Sequence, residues 1–197
     1  MKSGARIATV AAAVLFSGGA AAAAQTVSVM ECRPALGLTA GMSENGDQAT
    51  EGSRRVIDSS VSFEVPVSDR WSVRADGGSA RWAYTTYDLT GTPLGADRIR
   101  INRATVTALK RSPQPYSSPF RMFAGFGFGG YRYRFPDHSA TVKSGVHELA
   151  ELDIAAHERL MITAEISIHA VGGPGRPPLT ASTLLFLRAT VGVRVVF

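Results

Sequence analysis

Three clusters in this sequence hold residue types that could do chemistry. His147-Glu148-Leu149-Ala150-Glu151 approaches the H-E-x-x-H pattern, in which two histidines on one helix face hold zinc and the glutamate acts as base. The second histidine is replaced by Glu151 and the surroundings alternate like a strand, so the ligands would not converge. Gly125 to Gly130 fits G-x-G-x-x-G, but lacks the strand-to-helix setting that places a pyrophosphate on a helix N-terminus. Glu165, Ser167 and His169 offer an acid, a nucleophile and a base. Same-face neighbours on a strand stand ~7 Å apart, so a direct hydrogen-bonded triad is not expected unless other strands contribute. His138-Ser139 has no identifiable acid partner. These readings leave no catalytic, cofactor or metal site, and the chain is not expected to be an enzyme.

The elements that carry these residues are strands. Leu185, Leu187, Ala189, Val191, Val193, Val195 and Phe197 share one parity, and Arg188 and Arg194 fall on the other. A strand sends alternate side chains to opposite faces. The same rhythm recurs over 35–40, 60–67, 71–76, 120–129, 149–156 and 160–169. Residues 98–109 switch parity between Ile99/Ile101 and Ala104/Val106/Ala108, which predicts a β-bulge near Asn102–Arg103. Eight strands result. Ser68-Asp69-Arg70 and Ala156–Arg159 are tight turns at one end, with a longer connection from Lys110 to Pro119. Longer polar segments, about 43–58, 88–97, 136–144 and 172–181, lie at the other. Short turns at one end and long loops at the other are the habit of outer-membrane barrels.

The polar face decides which side is inside. It carries Glu64, Arg74, Asp76, Arg121, Glu151, Asp153, Glu165, Arg188 and Arg194, a nearly balanced set that can pair across a narrow lumen. Surface faces in water are usually rich in lysine, whereas only Lys110 and Lys143 follow the first 24 residues. Eight strands enclose a space just filled by side chains. Gly125, Gly127 and Gly129 would make room there for long arginine or tyrosine side chains from neighbouring strands. Trp82, Tyr84, Tyr87, Tyr131 and Tyr133 suit an interfacial girdle or packing in the upper barrel, and could equally form a ligand-binding rim.

Composition sets the outer bounds. The chain has 197 residues, is 45% hydrophobic and 19% charged, and carries a formal charge of +5. That is too apolar for disorder and too short for more than one ordinary domain. Lys2 and Arg6, the apolar run Ile7–Phe16 and Ala22-Ala23-Ala24 follow the order of a secretory signal peptide, so residues 1–24 are expected to be cleaved and 25–197 to form the barrel domain. No later run reaches the ~18 apolar residues of a spanning helix. Lys/Arg runs never exceed two, so nucleic-acid binding is not expected. The single Cys32 excludes an internal disulfide.

Residues 190–197 read Thr-Val-Gly-Val-Arg-Val-Val-Phe. With Thr190, Gly192, Val195 and Phe197 in their places, this resembles the C-terminal assembly signal of bacterial outer-membrane barrels. Over residues ~26–197 the chain resembles the small outer-membrane β-barrel domain family, which includes the transmembrane domain of outer membrane protein A and the opacity and adhesion barrels. Phe120–Arg132 resembles that family's fifth strand. The resemblance implies an all-β, eight-stranded, antiparallel, up-and-down transmembrane barrel in the outer membrane of a Gram-negative-type bacterium. It implies outer-membrane lipid as environment, with the barrel assembly machinery and periplasmic chaperones as partners during biogenesis. Both termini would face the periplasm, and no periplasmic peptidoglycan-binding domain is expected after the last strand. The expected role is envelope stabilisation or loop-mediated adhesion, with a lumen plugged by charge rather than a porin-like diffusion pore. Alternatives are an envelope-lipid-modifying enzyme, a small-conductance or hydrophobic-ligand barrel, and a secreted soluble barrel.

Overall fold

The computed structural model describes residues 33–45, 56–87, 93–113, 118–175 and 182–197. Residues 1–24, Cys32 and most of the segments predicted as long loops lie outside the described residues.

Eight strands follow one another: β1 (Ala35–Asn45), β2 (Val56–Pro66), β3 (Trp71–Tyr87), β4 (Pro93–Arg111), β5 (Phe120–Arg134), β6 (Ala140–His157), β7 (Leu160–Gly172) and β8 (Thr183–Val196). Each pairs antiparallel with the next, and β8 pairs with β1 to close the barrel. Closure leaves no free edge, so the strand backbones satisfy one another without water. Following paired residues once around leads from Ala35 through Glu64, Arg74, Thr107, Gly127, His147, His169 and Phe186 to Asn45. The path returns to β1 ten residues along, from position 35 to position 45. A stagger of that size over eight strand spacings tilts the strands by about 40° from the barrel axis.

Two expectations change. The parity switch in β4 is not a bulge, because its register runs unbroken from Arg98 to Lys110 against β3 and from Arg100 to Arg111 against β5. Ile99 and Ile101 simply point inward along with Arg103, Thr105 and Thr107. The apolar inward pair belongs to a hydrophobic plug at one end of the lumen, so β4 changes the polarity of its inner face without changing its pleat. The strands also run beyond the predicted segments. β3 reaches Tyr87, β4 starts at Pro93 and β6 starts at Ala140, which shortens the connections at the end opposite the termini.

The outer wall is apolar. Leu38 is 55% exposed, Phe126 56%, Ile166 48% and Val193 43%, and each points away from the axis. A water-soluble monomer does not expose a continuous apolar surface around its circumference. Charges inside and hydrocarbon outside make this a wall built to contact lipid.

Candidate functional site

The lumen holds a continuous ladder of buried ion pairs. At its centre the Arg74 guanidinium meets three carboxylates: Glu151 at 2.7 Å, Glu64 at 3.0 Å and Glu165 at 3.1 Å. Glu64 comes from β2, Glu151 from β6 and Glu165 from β7, so one side chain of β3 ties neighbouring and opposite walls together. Towards the termini, Arg194 bonds Asp153 at 2.7 Å and Glu151 at 2.9 Å. Towards the loops, Arg188 bridges Glu165 and Asp58, the latter at 3.0 Å. Asp58 also receives both terminal nitrogens of Arg103, at 2.7 and 2.9 Å, a bidentate fork. Asp76 lies 3.5 Å from Arg103. Ser60 and Thr39 accept further hydrogen bonds from Arg188, at 2.6 and 3.1 Å. The ladder draws charged groups from β2, β3, β4, β6, β7 and β8, while β5 contributes glycines at these levels.

Above the ladder the lumen turns aromatic. His147 stacks on His169 with centroids 5.0 Å apart, and His169 stacks on Phe186 at 4.6 Å. Trp82 and Tyr131 meet Phe186 edge-on at 5.5 and 6.0 Å. Ile99, Ile101, Tyr133, Phe135, Val171 and Leu184 complete a buried cluster that caps the lumen at the loop end. Trp82, Tyr131 and Tyr133 are therefore upper-barrel packing, not a girdle. The side chains of Tyr84 and Tyr87 lie outside the described residues. Among Thr107, His147, Glu165, Ser167, His169 and Arg188 the free space is a cavity of about 10 Å³, at the limit for a single water.

Glu165, Ser167 and His169 do touch, contrary to the spacing argument. Ser167 Oγ lies 3.3 Å from Glu165 and 3.1 Å from His169 Nε2. The side chains lean along the strand, which closes the gap that their Cα spacing leaves. The order of contacts is not that of a hydrolytic triad, since the acid meets the serine while His169 Nδ1 faces the Tyr131 hydroxyl at 2.8 Å. The base is thus not oriented by a carboxylate, and Ser167 is buried. His147, first of the near-zinc motif, points inward to Thr107 at 2.8 Å while Glu148 points outward, so strand alternation separates them. Among the described residues no group of three His, Cys, Asp or Glu could hold a metal ion.

Of the nine charges predicted to line the lumen, Glu64, Arg74, Glu151, Asp153, Glu165, Arg188 and Arg194 form the ladder and Asp76 flanks it. Arg121 sits lower, at the mouth near the termini, beside Asp153 and Arg194. Asp58 and Arg103 were missed. Asp58 shares its parity with Ser60, Ser62 and Glu64, and Arg103 with Thr105 and Thr107, so the signal was present in both strands. The β5 glycines do face the lumen, but the groups beside them are not arginine or tyrosine side chains. A Cβ on Gly125 would meet Leu109 and Thr107, and one on Gly127 the His147 ring and the Val106 carbonyl. The glycines that accommodate arginine and tyrosine are elsewhere: Gly78 against the Arg103 guanidinium and Gly145 against Tyr131.

The terminal motif lies at the seam that closes the barrel. Thr190 and Gly192 face the lumen, and Val195 and Phe197 face outward, 40% and 61% exposed. A Cβ on Gly192 would strike the Leu38 carbonyl and Thr39 of β1. The Phe197 amide donates to the Pro34 carbonyl at 3.0 Å, extending the seam by one bond.

No family model matches the chain, and no curated protein matches its sequence. Solved structures do. Neisserial surface protein A is 14% identical with a TM-score of 0.61, over 83% of this chain and 97% of that one. OprG, an outer membrane protein of Pseudomonas aeruginosa, is 12% identical with a TM-score of 0.56, over 85% and 97%. Ail, the attachment invasion locus protein of Yersinia pestis, is 12% identical with a TM-score of 0.50, over 84% and 99%. At such identities the likeness is one of fold, and it agrees with the closed eight-strand register and the inverted polarity. The chain has the fold of the small bacterial outer-membrane β-barrels.

Proposed function

We propose that this protein is an integral barrel of the outer membrane with a sealed lumen, exported by residues 1–24 as a cleaved signal peptide. It serves the envelope as a structural element and carries no diffusion pathway and no enzymatic centre. The observation that supports this reading most is the filling of the lumen, by an ion ladder over its middle and lower length and an aromatic cap above. Thr190, Gly192, Val195 and Phe197 act as the signal read by the barrel assembly machinery after chaperoned transit of the periplasm. Planar-bilayer recording tests the sealed lumen: the folded protein gives no steady conductance, and large, stable openings would overturn the proposal. A second reading, adhesion through the outward loops, draws on the likeness to Ail, whose name is that of an attachment invasion locus protein. Grafting the four loops onto an inert barrel tests it, and transfer of cell attachment with the loops would favour this role.

A further inference from the structure

Beyond the apolar belt, at the loop end, the outer wall of β3, β4 and β5 becomes strongly cationic. Arg81, Arg100 and Arg134 fall in one cross-strand row. Arg132 lies two residues below Arg134 on the same outward face. Arg81, Arg132 and Arg134 are exposed and Arg100 is half-exposed. Among the described residues none of the four meets a carboxylate. The inward arginines of the ladder each have at least one. Like charges directly opposite on adjacent strands destabilise a sheet, so this row weakens the wall unless an anion neutralises it.

The wall directly beneath is shallow. Going down the strands, Ser79, Asn102 and Arg132 form the next cross-strand row and Gly77, Ala104 and Gly130 the one below it, and a Cβ added at Gly77 or Gly130 would meet nothing within 4 Å. Phe128 stands out beside this depression, 65% exposed. A cationic row above a smooth apolar recess matches a ligand with an anionic head and hydrocarbon chains in the same vertical order. Guanidinium forks pair with phosphate oxygens two at a time, and the row stands where lipid headgroups begin.

We propose that Arg81, Arg100, Arg132 and Arg134 bind the phosphate groups of an anionic lipid in the outward leaflet, with its acyl chains against Gly77, Ala104 and Gly130. The assignment rests on the membrane-spanning reading above. The test is the association of full-length protein in phosphatidylcholine vesicles with spin-labelled diphosphoryl lipid A, measured relative to spin-labelled phosphatidylcholine. Wild type should favour the phosphorylated lipid at least tenfold. Arg100→Gln with Arg134→Gln should bring the ratio close to one, as should the separate pair Arg81→Gln with Arg132→Gln. Arg70→Gln, in the β2–β3 turn at the opposite end, should leave it unchanged. Retention of the preference in both double variants would overturn the site. Full competition by inorganic pyrophosphate in solution would overturn the lipid as its ligand. Failure of wild type to insert into the vesicles at all would instead remove the membrane-spanning reading, and the site with it.

Discussion

At the scale of single residues the lumen is governed by the cost of burying charge. Arg74 is 2% exposed and satisfies three carboxylates at once. Removing one partner of a buried ion pair strands the others, which costs roughly 3–5 kcal/mol. Arg74→Met is therefore expected to destabilise the folded barrel by about that amount, read from urea unfolding in vesicles. Ser167→Ala, by contrast, removes one weak bond to Glu165 and one to His169, and should cost no more than about 1 kcal/mol. Glu148 presents the opposite problem. It points outward on β6, paired in register with Phe126 and Ile168, whose side chains are 56% and 54% exposed in the apolar wall. Among the described residues it has no hydrogen-bond or ionic partner. A carboxylate facing hydrocarbon is unfavourable, so Glu148→Leu should stabilise the barrel by about 1–2 kcal/mol in the same assay. A loss of stability instead would show that Glu148 pairs with something in the bilayer. The sequence pattern hides this residue, because the regular part of β6 visible in it begins only at Leu149.

At the scale of elements, the strands were legible because lipid and lumen impose opposite polarities on alternate residues. β8 displays this most clearly, from Leu185 outward and Arg188 inward to Phe197. β4 was legible in extent and misread in detail. Period-two analysis assumes one polarity per face, whereas the inner face changes from Arg103 and Thr105 to Ile101 and Ile99 where the ion ladder gives way to the aromatic cap. The same change of inner environment explains why Trp82, Tyr131 and Tyr133 could not be placed from sequence alone. Contacts between strands distant in sequence were not legible either. The bridges from Arg74 to Glu151 and Glu165 and from Arg188 to Asp58 depend on barrel closure with a stagger of ten residues that no single strand records. The seam between β1 and β8 gives an element-scale test. Gly192→Val would press side-chain carbon onto the β1 backbone at Leu38 and Thr39, where a flexible side chain cannot yield. Such overpacking costs about 1–3 kcal/mol, and here it acts on the contact that closes the barrel. The variant should show less of the compact, heat-dissociable species on gels, while Gly77→Ala, with open space around it, should not.

At the scale of the whole molecule, the 45% hydrophobic content divides between two destinations. A minor part forms the cap and a small cluster of Ala35, Met161 and Val196 near the opposite mouth. The greater part faces outward in a belt. If that belt lies in hydrocarbon, the penalty for charge must depend on depth, being greatest at the bilayer midplane and falling towards the interfaces. Val191 and Leu187 share the outward face of β8, four residues apart, which is about 10 Å along the barrel axis at the observed tilt. Val191 pairs with Ala164 and Ala40 well within the belt, whereas Leu187 pairs with Glu44, next to the loop end of β1. Val191→Arg should therefore cost roughly 2–4 kcal/mol in vesicles, and Leu187→Arg about 1 kcal/mol or less, because its guanidinium reaches the interface. A soluble barrel of the same shape would show no such gradient, since both positions would meet water. Equal and negligible costs at the two sites, measured by equilibrium unfolding in vesicles, would refute a lipid-facing belt. A steep difference would fix the membrane's upper edge on β8 between these two residues, below the arginines of β3, β4 and β5.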